Sequence, residues 1–345
     1  VTGLLDPLDR PDFIALRNRT VMSAMSRGFA DDNHHVTDAM RDYYRRRAEG
    51  GVGLILTEGT LIDKSGDGWN NAPYIANDAQ ADSWRETIAA VHDAGAKIAC
   101  QLWHCGRISH SDYTGDAPVS STNVAAGGTN RQNGKPYGEP RALRIDEMAG
   151  VYQLYVRAAE RALAVGFDAI ELHIGHGYLA DQFLDSRVND RDDIYGGSVE
   201  NRSRFALELV REVLAAVPAD RVIARISPSR FMGGIYDWPE LDDMLDYFIP
   251  ALQDAGLVGL DISCANSVYA DTAGRIVRAV RPKWSGVLLG GASLTVEQAE
   301  AELGQGLLDL VTWGRAFIAN PDLTTRIREG HAWAPFSDEM RATLV

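Results

Sequence analysis

Short apolar runs alternate with longer amphipathic segments along this chain. The runs are Thr20–Ser26, Gly53–Thr57, Lys97–Trp103, Ala169–Ile174, Val222–Ser227, Gly259–Ser263, Val287–Gly290 and Leu308–Trp313. They are short and mostly rich in Val, Ile and Leu, as strands buried on both faces are. Between them the apolar positions return at helical spacing. In Asp242–Ala255, for example, Met244, Leu245, Phe248, Ile249 and Leu252 fall on one stripe. Gly50, Gly95, Gly166, Gly256 and Gly306 close such segments, where a left-handed residue ends a helix before a tight turn. Eight strand and helix alternations predict a (β/α)8 barrel. Parallel strands need crossovers, and closing the sheet removes its edges. A doubly wound open sheet is the second arrangement the pattern allows.

Two segments depart from a minimal barrel. Residues before Arg19 read as an N-terminal cap, and residues 105–144 read as a long insertion after strand three, rich in Gly, Ser, Thr and Asn. Loops at the C-terminal face of such barrels carry function, so the insertion is expected to be a lid or pocket wall. Residues 1–345 are read as one domain.

Charge narrows the function. With 48 acidic against 34 basic residues, the chain has a formal net charge of −14. Binding to nucleic acid or to an anionic membrane needs clustered Lys and Arg, so a small molecule is the expected partner. The first residues, Val1 to Phe13, lack a basic segment followed by an apolar one, and no run reaches the ~18 apolar residues of a membrane span. A soluble, cytoplasmic protein is the expectation. Cys100, Cys105 and Cys264 show no CxxC spacing, which argues against a disulfide framework or structural zinc. Cys105 reads as a small buried hydrophobe more readily than as a reactive thiol.

In a barrel the residues that end strands face the active site. That filter selects Ser26, Gly59, Gln101, Trp103, His104, His173, His176, Tyr178, Arg225, Gly290, Gly291, Gly314 and Arg315. Glycine pairs let backbone N–H groups approach a phosphate, and Arg offers a permanent charged fork, so the loops after strands seven and eight read as a phosphate site. Arg225 in a strand calls for an anionic or strongly accepting ligand. Gln101, both donor and acceptor, suits the edge of a heterocycle. His104, His173 and His176 could instead hold a catalytic metal in a hydrolase. No lysine falls at a strand exit, which disfavours Schiff-base chemistry.

The run His173-Ile-Gly-His-Gly-Tyr-Leu, with Asp181-Gln-Phe-Leu and Asn189-Asp-Arg-Asp-Asp-Ile-Tyr-Gly-Gly-Ser-Val-Glu-Asn-Arg-Ser-Arg-Phe205, resembles the old yellow enzyme family of flavin-dependent ene-reductases. Further matches run from Asn18-Arg-Thr-Val-Met-Ser through Gln101-Leu-Trp-His-Cys-Gly-Arg107 to Gly314-Arg-Ala-Phe-Ile-Ala-Asn-Pro. The resemblance implies a (β/α)8 barrel and non-covalent FMN, with NAD(P)H reducing the C=C bond of an enone. Hydride would come from flavin N5 and a proton from Tyr178. By the same resemblance, Ala24, Met25, Ser26 and Gly59 line the flavin ring, and Gln101 and Arg225 its pyrimidine edge. Gly290, Gly291, Gly314 and Arg315 hold its phosphate. His173 and His176, with Trp103 nearby, bind the substrate, and no metal is implied. Ser26 stands where the family usually has Thr or Cys, and Ala24 where Pro is common. A hydrogen bond changed there tunes the flavin by about 1 kcal/mol. An FMN-dependent dehydrogenase or oxidase is the alternative chemistry, and the resemblance admits a homo-oligomer.

Overall fold

The fold is taken from a computed structural model that describes residues 2–264 and 267–345. Eight parallel strands close into a barrel: β1 (Thr20–Met22), β2 (Leu54–Leu56), β3 (Lys97–Trp103), β4 (Ala169–His173), β5 (Val222–Arg225), β6 (Gly259–Ser263), β7 (Val287–Ala292) and β8 (Leu310–Trp313). Each pairs with the next, β1 pairs with β8, and the sheet has no open edge among these strands. The doubly wound alternative is therefore excluded. Most strand ends agree with the apolar runs to within two residues. The exception is β1, which stops at Met22 instead of Ser26. Ser23 N makes the final ladder bond, to Trp313 O at 2.9 Å, and the chain then leaves the sheet.

Helices pack outside the barrel. The helix Leu241–Asp254 buries Met244, Leu245, Phe248, Ile249 and Leu252, the stripe its periodicity marks. Gly95, Gly166, Gly256 and Gly306 adopt positive φ as helix ends require, whereas Gly50 does not. At Gly50 a Cβ would sit 2.2 Å from Pro321 O, so close approach of two backbones demands glycine there, and Gly51 takes the left-handed turn.

The barrel interior is graded. Its lower half is filled by Val21, Leu54, Leu56, Ala99, Ala169, Ile223, Val287, Leu289 and Leu310, and the cap contributes Leu8, Phe13 and Leu16 as a plug at that end. Each fully buried side chain of this size contributes roughly 1.5–3 kcal/mol. Toward the C-terminal end the interior turns polar, with Gln101, Glu171, Arg225, Asp261 and Ser263 all buried. Polar groups out of water must find partners or a ligand, so this gradient marks which end of the barrel carries the chemistry.

Candidate active site

Above the polar layer the strand ends open into a cavity of about 1230 Å³. A pocket for one small ligand is typically ~300–1,000 Å³, so this one can hold two molecules together. Ala24, Met25 and Ser26 enter it beyond β1, Gln101 and Trp103 from β3, and His173 from β4. His176 and Tyr178 follow on the turn after β4, Arg225 comes from β5, and Gly314 and Arg315 follow β8. In the insertion, Gly127 to Gln132 and Tyr137 form part of its wall.

Three expected residues do not line the cavity: Gly59, Gly290 and Gly291. Packing accounts for each. A Cβ would lie 2.5 Å from the Trp103 ring at Gly59, 2.7 Å from Leu308 Cδ2 at Gly290, and 2.0 Å from Thr312 O at Gly291. Beyond β7, Ser293 reaches the cavity instead. Gly291→Ala should therefore lower stability by about 1–3 kcal/mol, measured by denaturant unfolding. An unchanged midpoint would contradict the contact.

The turn after β4 is held under strain. His176 has φ 57° and Gly177 φ 79°, and a non-glycine residue in that region costs roughly 1–3 kcal/mol. A Cβ at Gly175 would come 2.8 Å from Ser227 Oγ. His176 N donates to Ser227 Oγ at 2.5 Å and Gly177 N to Asp181 Oδ2 at 2.6 Å. Asp181 also accepts from Arg230 Nη1 and Trp238 Nε1, both at 2.7 Å. These bonds over-determine a conformation that the backbone alone would not keep.

The turn brings three rings together. The His173 and His176 centroids lie 5.3 Å apart at 74°, and the Tyr178 ring is 5.0 Å from both His173 and Trp103. Burial first, and Arg225 next, hold both imidazoles well below their ordinary pKa, so they are neutral at pH 7. Gly175 N donates to His173 Nδ1 at 3.4 Å, which leaves the ring proton on Nε2. Burial raises the Tyr178 phenol above its ordinary 10, keeping it protonated.

His104 is not part of this group. Its ring faces Ser65 Oγ at 3.4 Å and accepts from Gly106 N at 3.1 Å, away from the cavity. The trio of imidazoles does not assemble, and among the described residues no three of His, Cys, Asp or Glu are placed to hold a metal ion. Burial lowers His104 to about 4 from 6.5. Because the unfolded chain binds that proton more tightly, the contribution is full above pH 6.5 and lost as pH falls toward 4. It amounts to about 3 kcal/mol. His104→Gln should flatten the fall in melting temperature between pH 7 and pH 4.5. An identical slope in the variant would refute the assignment.

Cys105 lines the cavity, yet burial lifts its thiol well above the ordinary range, so it acts as apolar wall. The lining carries Arg27, Arg107, Arg131, Arg225, Arg230, Arg315 and Arg341, and no Asp or Glu among the described residues. In a chain of net charge −14 this is a local inversion of sign. Sequence reasoning missed the hairpin Ser229–Phe231 with Ile235–Asp237, which delivers Arg230, Met232 and Tyr236 to the cavity. Its signal was present: Gly233-Gly234 flanked by apolar residues is a hairpin turn pattern.

A closed barrel whose C-terminal face holds a large, aromatic, cationic cavity with two neutral imidazoles and a phenol suits a flavin oxidoreductase. The sequence profile of the NADH:flavin oxidoreductase / NADH oxidase family matches residues 4–333, and the chain belongs to that family. It is 36% identical to 12-oxophytodienoate reductase 7 of Oryza sativa subsp. japonica, over 94% of this chain and 87% of that protein. It is also 36% identical to a probable flavin mononucleotide-dependent alkene reductase of Leishmania infantum, over 95% of this chain and 90% of that protein. The structure of an old yellow enzyme homologue from Zymomonas mobilis superposes with a TM-score of 0.92 and 34% identity, covering 98% of this chain and 96% of that one. As in that family, the enzyme is NAD(P)H-dependent and its cofactor is FMN.

Proposed function

We propose that the protein reduces the C=C bond of α,β-unsaturated carbonyl compounds, with Tyr178 as proton donor. The observation that carries this is the cluster of His173, at the end of β4, with His176 and Tyr178 on the strained turn that follows it. FMN fits the residues present. Its phosphate suits a lining with arginines and no carboxylate, and its rings suit a cavity that also has room for a substrate. Arg315 and the side-chain-free Gly314 would hold the phosphate end, while Gln101 and Arg225 would meet the pyrimidine edge. Gln101 Nε2 is engaged by Glu171 Oε2 at 2.7 Å, which leaves its carbonyl and second N–H for the ligand. When bound, FMN supplies the hydride.

The chain's own part is polar and protic. Two neutral imidazoles donate N–H to one carbonyl oxygen and stabilise the negative charge that gathers there as the β-carbon is reduced. Tyr178 O–H then gives its proton to the α-carbon. Residues 105–144 would serve as pocket wall, supported by the cavity-lining positions of Gly127 to Gln132 and Tyr137. A cytoplasmic location is supported by the buried thiols Cys100 and Cys105, which form no disulfide, and among the described residues no helix is long and apolar enough to cross a membrane.

Purified protein should carry flavin absorbance, and a panel of enones should reoxidise the NAD(P)H-reduced enzyme without oxygen. Reoxidation by O₂ but by no enone would favour a dehydrogenase or oxidase. Colourless protein that binds no added FMN would overturn the cofactor assignment.

A further inference from the structure

Two carboxyl groups that the proposed reaction does not use lie in the barrel beneath the cavity. Glu171 on β4 and Asp261 on β6 are both 0% exposed. Glu171 Oε2 accepts from Gln101 Nε2, and Asp261 Oδ1 accepts from Ser263 Oγ. Their remaining oxygens, Glu171 Oε1 and Asp261 Oδ2, are buried without any donor. Their strands flank β5 on either side, with Glu171 paired to Ile223 and Asp261 to Arg225, so both carboxyls belong to the buried polar layer around Arg225. Arg225, the cation acting on Glu171, comes no closer to Asp261 Oδ2 than 3.9 Å. Its own N–H groups go to the carbonyls of Ser263 and Ala24.

With both carboxyls ionised, this buried layer would hold two negative charges against one positive, and both remaining acceptor oxygens would lack a donor. Neither condition is stable in a low dielectric. We propose that Glu171 and Asp261 share one proton, held between Glu171 Oε1 and Asp261 Oδ2, so that the pair carries a single negative charge balanced by Arg225. On folding the pair takes up one proton from solvent water, forming one O–H bond, and the donor and acceptor it creates satisfy both orphaned oxygens. Burial and the neighbouring Asp261 hold the Glu171 carboxyl well above its ordinary range, in keeping with this state. A pair sharing a proton titrates as a unit.

The two act as positioning residues. Glu171 fixes the Gln101 amide, and the neutral layer fixes how much of the Arg225 charge is felt at the cavity floor. Had both carboxyls been ionised, their excess negative charge would outweigh it.

Infrared difference spectra of the purified holoenzyme test this. Wild type minus Asp261→Asn, and wild type minus Glu171→Gln, should each show a positive carboxyl C=O band that shifts in D₂O. Either substitution leaves a lone carboxylate beside Arg225, which ionises. Absence of that band from either difference would overturn the proposal. If a variant does not fold, a neutron structure of the wild type should place deuterium between the two oxygens, and its absence there would count equally against the idea. A further readout rests on FMN being bound. The flavin midpoint potential should barely move in Asp261→Asn, because the net charge is unchanged, but should rise in the double variant. A rise in Asp261→Asn about half that in the double variant would show that both groups are ionised in the wild type and overturn the proposal.

Discussion

Replacing Tyr178 by Phe is expected to slow enone reduction about 10²–10⁴-fold, the usual worth of a positioned general acid. The NAD(P)H half-reaction should be nearly untouched. The phenol and the benzene ring fill the same space, so the edge contacts with His173 and Trp103, each at 5.0 Å, survive the change. Only the O–H is lost. Hydride transfer from the nicotinamide needs no proton at the substrate α-carbon, so that half-reaction lacks a step for Tyr178 to serve. Stopped-flow traces of the two half-reactions separate them, and equal losses in both would refute the proton-donor role. Burial keeps the phenol protonated beyond the working pH range. Its titration should therefore not appear as a basic limb below pH 9 in the wild-type profile.

The second large effect is expected at the paired imidazoles. His173→Ala or His176→Ala alone should cost ~10²–10³ in the enone step, as loss of one donor to a developing oxyanion does. The double variant should fall short of the product of the two losses, since both rings serve a single oxygen and residues acting as a unit are not additive. Independent, multiplicative losses would place the two rings on different atoms. The pH dependence carries its own sign. Burial and Arg225 hold both imidazoles well below their ordinary pKa, so they remain neutral donors as pH falls from 8 to 6. The enone step should be flat across that interval. An acid limb near pH 6.5 in wild type that disappears from one of the two variants would mean that the ring removed there titrates normally.

Several parts of this architecture were legible along the chain because they rest on local periodicity. Short runs such as Ala169–Ile174 and Gly259–Ser263, each preceded by a helix-ending glycine, read as buried strands, and the stripe in Asp242–Ala255 reads as a core-facing helix. Strand-end chemistry was legible for the same reason: once the barrel is assumed, Gln101, His173 and Arg225 must point at its mouth. The glycines were harder. Gly59 suggests space for the flavin ring, and Gly290 and Gly291 a phosphate cradle, when read along the chain, yet what surrounds them is Trp103, Leu308 and Thr312. A missing side chain looks the same in sequence whether it makes room for a ligand or for a neighbouring strand.

His104 shows the same limit from the other side. It immediately follows Trp103, a cavity residue, but its ring turns to Ser65 and Gly106 because Gly66 leaves space there. Alternation along a strand predicts which side a residue faces only while the strand lasts, and β3 ends at Trp103. By itself the sequence determined the barrel, its N-terminal cap and which residues stand at the strand ends, since these follow from patterns a few residues long. Only the tertiary structure decided which glycines face the cavity, that the hairpin after β5 walls it, and that Glu171, Arg225 and Asp261 share one buried polar layer. Those are contacts between strands far apart in the chain, and a short-range pattern carries no record of which distant residue will face it.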